Sequence, residues 1–469
     1  MTKIIVILRR DKSKVMFCRK KKDMSGTNEA TEDISREQRL DKYRVAIEKA
    51  EKDPSLSPET GLPFSKTTII RYGIAFLGFG IFWMVGINAV SAFIIPLRLK
   101  TMVHNPESVI AINGVVSSVF SLLSNLIFGN FSDRTRSRFG RRTPWIIVGA
   151  IVGGVFMFLT GIAPNAFCIV AFFGLAMAGL NMMIAPVVAF LSDRVPSGIR
   201  ATMSAFYGAG STVGAPLGTL LATQLMNNRT MSAVCAGAFM LASGIFVILI
   251  IPREHSADFL PQDSGTLKDI AMSFKPPVFK ANHDFYKAFC GRLCMLMGYQ
   301  MISAYQLYIV TDHVGQDTKT AAKTIAVMSV ISMVVSLLGP VVSGPLSDIL
   351  NRRKVPVFIA SVLFAIGIAM PWIMPTTMGM YLYAGLAGLG YGVYSSVDQA
   401  LNVDVLSNKE EAGKDLGILN LATTLGQMIG PVVTSTIVNI TGGYPVAFAT
   451  SICLAILGSV FILSIRGVR

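Results

Sequence analysis

The chain has 469 residues, 52% of them apolar and 15% charged, with a net charge of +15 and a mean hydropathy of +0.56. Soluble globular domains of ordinary composition are not that apolar, so lipid is the expected solvent for most of it. The excess basic residues sit mainly in the amino-terminal tail and in short loops, which is the pattern of membrane orientation and excludes nucleic acid as a partner.

Residues 1–68 are polar and mixed in charge, with a Pro/Ser/Gly-rich junction at Asp53–Pro63, and are read as a disordered cytoplasmic tail. Leu40, Tyr43, Ile47 and Ala50 recur at helical spacing among the charges, so a short surface-lying helix at 36–52 is the alternative. The opening IIVIL is too short for a signal sequence, and translation can start at Met1 or at Met24.

A bilayer takes about 20 helical residues to cross. Apolar runs of that length stand at 70–97, 108–129, 144–163, 166–191, 201–226 and 231–252, an amino-terminal six-helix half within 69–252. A polar inter-half loop, 253–283, separates them from six more at 284–311, 320–345, 355–374, 378–405, 415–439 and 442–465, a second half within 284–469. The fold class is therefore an all-α polytopic membrane protein of twelve transmembrane helices. Their Gly and Ala content suits closely packed helices in lipid. With both termini placed inside, the short inner loops carry twelve Lys and Arg against five in the outer loops, so the tails and the 253–283 loop are expected in the cytoplasm of a cell whose inner membrane holds the protein.

The chain matches itself at a shift of 215 residues. Gly129, Ser132 and Asp133 meet Gly344, Ser347 and Asp348; Ser192 meets Ser407, Gly198 meets Gly413 and Pro216 meets Pro431. The coincidences fall at the same loop or helix position in each half, so the molecule reads as a duplicated six-helix unit, the arrangement by which many transporters place a site between two halves.

The sharpest local signal is GNFSDRTRSRFGRR, Gly129 to Arg142, echoed by GPLSDILNRRK, Gly344 to Lys354. Gly129 permits close helix contact, Asp133 can cap a neighbouring helix, and Arg134, Arg138, Arg141 and Arg142, with Gly140 between them, can clamp carboxylates. Gly344, Asp348, Arg352 and Arg353 are the matching set in the second half. Arginines that merely obey the positive-inside rule would not explain Gly and Ser-Asp at matched positions. This pair of loops resembles the signature of the major facilitator superfamily, which implies a cytoplasmic gate at both.

A finer resemblance rests on SDRTRSRFGRRTPW (Ser132–Trp145), APVVAFLSDRVP (Ala185–Pro196) and AGKDLGILNLATTLGQMIGP (Ala412–Pro431). Together these look like the sucrose-transporter and glycoside–pentoside–hexuronide symporter group, which implies symport of a sugar with a cation. Plant-type sucrose transporters carry an arginine on the fourth helix where this chain has Val188, although the acid closing that motif is present as Asp193. The acids that melibiose-type symporters use for sodium on the first two helices are absent from 70–97 and 109–129. Among cations the proton is then the expected coupling ion, with no other cofactor.

Polar residues form stripes within the spans. Tyr391, Tyr394, Asp398 and Asn402 lie on the tenth; Arg292, Tyr299, Ser303 and Gln306 on the seventh; Asn420, Thr423 and Gln427 on the eleventh; Ser204, Tyr207 and Ser211 on the fifth; Asn113, Ser117 and Ser121 on the second; Trp83 and Asn88 on the first. Aromatic faces with neutral hydrogen-bonding groups suit a polyhydroxyl ligand, while hydrogen bonding between helices is the bland role of such residues. Asp398 and Arg292 are the acid and base deepest in the apolar spans, and an ion there is a functional hypothesis by default. They are expected to pair and to carry the coupling proton.

Cys290 and Cys294 stand one turn apart without further metal ligands and read as packing. The four histidines (His104, His255, His283, His313) all fall between or beside the apolar runs. Neither metal chemistry nor a nucleophile–base set has a footing, so no enzyme is expected. The expectation is a monomeric proton-coupled sugar symporter with a small-molecule substrate. A drug or metabolite exporter and a non-transporting membrane scaffold are the rival readings.

Overall fold

The computed structural model describes residues 27–260, 282–350, 354–404 and 412–465, with side chains described for 37–260, 282–338, 356–394, 398 and 418–465. After a charged helix α1 (Thr27–Lys52), the first half runs through α2 (Lys66–Ser91), a short α3 (Ile94–Met102), α4 (Pro106–Arg134), α5 (Thr143–Ile162), α6 (Ala166–Asp193), α7 (Arg200–Gln224) and α8 (Arg229–Ile250). The second half runs through α9 (His283–Ser303), α10 (Thr318–Leu350), α11 (Lys354–Ile373), α12 (Thr377–Asp404), α13 (Ala412–Thr441) and α14 (Pro445–Leu463). All twelve expected spans are helical, and two of them break. The first runs on into α3 after a break at Ala92 and Phe93, and α9 continues as Gln306–His313 after a 50° bend.

The ends follow local chemistry. Ser65 caps α2 by accepting the N–H of Thr68 at 3.1 Å, and Asn165 and Asn228 do the same for α6 and α8, satisfying amides that the helix cannot. Within the first half α2 packs on α7 and α8, α5 on α6 and α8, and α4 on α6; in the second half α9 packs on α13 and α14, α11 on α12 and α14, and α10 on α12. The two sets are the same five pairings in corresponding positions, which is the structural face of the 215-residue repeat. Small residues allow the closest of them: a Cβ on Gly210 of α7 would stand 2.2 Å from the Leu77 carbonyl of α2.

The halves meet through α4 with α13 and α7 with α10, pairs that exchange under the repeat. Among the described residues, every hydrogen bond joining them lies toward the face opposite the tail. Lys100 Nζ bonds Thr311 Oγ1 at 2.8 Å and the Asp312 carboxylate. The Tyr308 hydroxyl donates to Pro96 O at 2.9 Å, the Tyr305 hydroxyl lies within reach of Glu107 O and Pro431 O, and Asn439 Nδ2 donates to Ser108 Oγ at 2.9 Å, with Ser435 Oγ also near Ser108.

The tail reading needs correction over residues 37–68, which fold against the first half. Ala46 and Ile47 of α1 are buried, and Tyr43 meets Phe259 edge-on at 6.0 Å. A strap then crosses the loop after α6: Gly198 N–H donates to Pro54 O at 2.9 Å, and Ser57 Oγ donates to Arg194 O at 2.7 Å. Its few apolar groups suffice because a surface is waiting for them, which composition alone does not reveal. Residues 1–26 lie outside the described structure.

Candidate functional site

Arg292 and Asp398 do come together. Arg292 sits a little over two turns into α9, and α12 brings Asp398 opposite it, with Nη1 3.2 Å from Oδ2 and side chains only 7% and 4% exposed. Asp398 Oδ1 also accepts the hydroxyl of Tyr394, one turn back on α12, at 3.1 Å. Arg292 Nε donates to Thr423 Oγ1 of α13 at 3.0 Å. Three helices of the second half thus converge on one buried ion pair whose charges are further satisfied by hydroxyls, the condition for such a pair to persist out of water.

Two turns further along α9, Tyr299 stacks on Tyr391 of α12 with centroids 4.1 Å apart and planes within 14°, and Phe364 of α11 lies 6.0 Å away. This flat aromatic surface is adjacent to the ion pair because Tyr391, Tyr394 and Asp398 follow helical spacing on α12. Asn420 and Gln427, seven residues apart on α13, are both exposed, flanking Thr423.

The loop between α4 and α5 builds a second cluster on the tail face. Its central acid is Asp193 at the end of α6, with Arg141 Nη2 at 2.8 Å, Arg142 Nη2 at 2.9 Å and Arg142 Nε at 3.0 Å. Asp133, 59% exposed, reaches Arg142 Nη2 at 2.5 Å, and Ser132 Oγ accepts Arg142 Nη1 at 2.6 Å. The expectation that Asp133 caps a neighbouring helix is corrected: Glu254 does so. Its carboxylate accepts the N–H groups of Arg141, Arg142 and Thr143 and the Thr143 hydroxyl, at 3.0 to 3.2 Å. Gly140 makes this possible, with φ at +89° and no room for a Cβ, which would overlap the Glu254 carboxylate.

The arrangement is two six-helix halves, closed against each other at one face, with a buried ion pair and an aromatic stack inside the second half. A sequence profile of the Major Facilitator Superfamily matches residues 72–309 and 288–468. The chain belongs to the Major Facilitator Superfamily. An uncharacterized transporter of Schizosaccharomyces pombe is 29% identical over 135 residues, covering 29% of this chain and 26% of that protein. The chain thus spans about a quarter of that relative's length. Solved structures share the fold at low identity. A bacterial homolog of the human lysosomal transporter Spinster, inward-facing and unoccupied, matches 85% of this chain and 96% of its own at 15% identity and a TM-score of 0.62. The human organic anion transporter TETRAN (14%, 85% and 100%, 0.62) and the nucleoside transporter NupG (13%, 85% and 99%, 0.64) are similar to the same extent.

As a member of the superfamily with a multi-pass membrane core, the chain distributes its other predicted residues unevenly. Tyr207 of α7 stacks on Phe79 at 5.9 Å, and Trp83 of α2 keeps its Nε1 buried. Asn88 turns back to Met84 O at 3.0 Å and packs under Gly218, a helix contact. Ser303 Oγ donates to Gln300 Oε1 at 3.4 Å at the end of α9, and Gln306 starts the segment after the bend. Arg138 lies over the Phe139 ring at 4.8 Å, Arg134 ends α4, and a Cβ on Gly129 would come only to 3.9 Å from Ala185. Gly344 and Asp348 are on α10 and Asn402 on α12, but their side chains, and Arg352 and Arg353 altogether, lie outside the described residues.

Two acids of the tail face escaped the sequence reading. Glu254 and Glu59 look like ordinary loop charges. Glu59 reaches Arg194 Nε at 2.6 Å and His255 Nδ1 at 2.8 Å, joining the strap to both the loop after α6 and the start of the inter-half segment. Burial pushes its carboxyl up, but the His255 hydrogen bond and the Arg194 charge outweigh it and hold the pKa down at about 2. The same hydrogen bond raises His255.

Proposed function

We propose that this chain is a proton-coupled symporter of a sugar or glycoside that works by alternating access, with both termini cytoplasmic in the cell membrane. The observation that carries the reading is the buried Arg292–Asp398 pair set beside the Tyr299–Tyr391 stack. Aromatic faces take the apolar face of a sugar ring, and the neutral groups around them, Thr423, Asn420 and Gln427, can exchange hydrogen bonds with its hydroxyls. Between them, Arg292 and Asp398 leave no net charge in this site to select an organic ion.

Coupling follows from the pair's two alternatives. While Arg292 and Asp398 are together, the acid needs no proton. A shift of α12 against α9 that separates them leaves a desolvated carboxylate, for which taking a proton is less costly than standing as a lone anion. Proton occupancy of Asp398 then alternates with pairing to Arg292, and solute bound against Tyr391 and Thr423 biases the choice. With the tail face inside, the closed contacts of Lys100, Asp312, Tyr305 and Tyr308 belong to the outer gate.

The test is uptake of labelled mono- and disaccharides, a nucleoside and an organic anion into proteoliposomes, with and without an imposed pH gradient. Gradient-driven accumulation of a sugar is expected. Accumulation of the organic anion with no sugar moved would replace the reading.

A further inference from the structure

The first half carries a pair of amides that the site above does not use. Asn125 of α4 and Asn181 of α6 come from neighbouring helices, with Asn125 Nδ2 3.4 Å from Asn181 Oδ1, and Asn181 Nδ2 donates back to Met177 O at 3.0 Å. On α4 the exposed apolar residues Ile112, Val119, Phe120, Leu123, Ile127 and Phe131 fall within an arc of about 120° when placed at about 100° per residue. That arc is a lipid face. Asn125 is exposed as well, yet it projects from the other side of the helix, about 120° beyond the nearer edge of the arc.

Helix α6 brings Asn181, half-buried, against that same side of α4, where the bond to Asn125 holds it. An amide turned to hydrocarbon loses its hydrogen bonds at a cost of several kcal/mol; turned to a water-filled space it loses none. Beside Asn125, Ser124 Oγ donates to Ala178 O of α6 at 2.5 Å; about three turns back on Asn125's own side of α4, Gly114 lies against Pro431 of α13, so that side of the helix faces the second half.

We propose that Asn125 and Asn181 form the first half's wall of the transport site and bind hydroxyls of the solute. The mutual bond leaves Asn125 its Oδ1 and one N–H, and leaves Asn181 a lone pair on Oδ1 and the N–H not given to Met177 O. That set of two donors and two acceptor oxygens takes adjacent hydroxyls, each of which both gives and receives, and holds no charge to attract or repel an ionic group. This rests on the reading of a polyhydroxyl substrate given above.

The experiment uses full-length protein with its six native cysteines replaced, carrying Asn125→Cys, Asn181→Cys or, as lipid-facing control, Leu123→Cys. Each is treated in inside-out vesicles with a hydrophilic thiosulfonate, with and without each solute of the uptake panel. Modification of the Asn125→Cys and Asn181→Cys proteins is expected, with none of the control. A transported sugar at about ten times its Kd should slow it about tenfold, as occupancy dictates. Asn125→Leu should raise KM for that sugar while Asn125→Gln restores it partly. Failure of both positions to react overturns the proposal. Sugar uptake without protection at either position, and with KM unchanged in Asn125→Leu, overturns it while leaving the sugar reading standing. Protection by the nucleoside alone keeps the amide wall and removes the sugar. Should one variant fail to fold, as judged by gel filtration, the other carries the test.

Discussion

Glu254 closes the amino end of α5 from 111 residues away, its carboxylate accepting Thr143 N–H at 3.0 Å and the Thr143 hydroxyl at 3.0 Å. The segment that begins the inter-half connection is thereby fastened to the loop that carries Arg141 and Arg142. Replacing Glu254 by Ala removes the acceptor for three helix-start amides at once. A cap is worth about 1 kcal/mol and a charged one more, so Glu254→Ala should cost about 2 kcal/mol. Thermal unfolding in detergent, with Glu254→Gln as the partial rescue, measures it.

The two acids that meet Arg142, Asp193 and Asp133, should separate in their effects. Asp193 lies between Arg141 and Arg142, so Asp193→Asn removes the carboxylate facing the buried Arg141 and leaves Arg142 only Asp133 and Ser132, and should lower stability by about 3 kcal/mol. Asp133 is mostly exposed, where an ion pair contributes at most about 1 kcal/mol to folding. Asp133→Asn should fold normally and slow turnover far more than it weakens substrate binding, because a gate contact differs in strength between conformations. Unfolding curves and uptake kinetics for both variants decide this; normal turnover in Asp133→Asn removes it from the gate.

The strap should be most firmly held in a window of mildly acid pH. Glu59 has its pKa depressed to about 2, so its contribution is present above the ordinary carboxylate range and is lost as pH falls toward that value. His255 is raised, so its smaller, largely exposed contribution is complete below its ordinary pKa of about 6.5 and is lost as pH rises through the folded value. Cleavage of the strap by a protease, normalised to a free peptide of the same sequence, should therefore be slowest near pH 5 to 6 (about the middle of that window) and faster at pH 8. Glu59→Gln should abolish the alkaline limb. An unchanged pH profile in that variant would show that His255 does not hold the strap.

The contacts between the halves should open during transport. Ser108 and Asn439 are 2.9 Å apart across the interface, so Ser108→Cys with Asn439→Cys, joined by a short bifunctional thiosulfonate, should stop uptake and recover it on reduction. Lys100→Ala, which removes the bond to Asp312, should slow this cross-linking by favouring the open outer face. Full transport by the cross-linked protein would exclude opening there.

The spans, their duplication and the Arg292–Asp398 pair could be read from the chain because each follows from a strong local cost. Twenty apolar residues need lipid, and an ion far inside such a run needs a partner. The stack of Tyr299 on Tyr391 was legible only as two aromatics on separate stripes, since nothing in either helix says which faces meet. Glu59 and Glu254 were missed because a loop carboxylate has no periodicity, and their partners, Arg194 and the start of α5, are distant in sequence. Asn125 and Asn181 were passed over for the opposite reason: each sits alone in an apolar run, and only the exposure of Asn125 and its bond to Asn181 distinguish the pair from packing residues. Asn88, read as a site residue from the same kind of signal, instead bonds its own helix at Met84.

The central claim is that Asp398 carries the coupling proton, and it is tested most directly by comparing counterflow with proton-driven accumulation in the same proteoliposomes for Asp398→Asn and for the double change with Arg292→Gln. The Asn side chain keeps the shape and can still receive the Tyr394 hydroxyl, while Arg292 keeps Thr423. Asp398→Asn is therefore expected to abolish uphill uptake and leave exchange measurable. Loss of both activities with rescue in the double variant would identify a structural salt bridge, and accumulation retained in Asp398→Asn would contradict the mechanism outright.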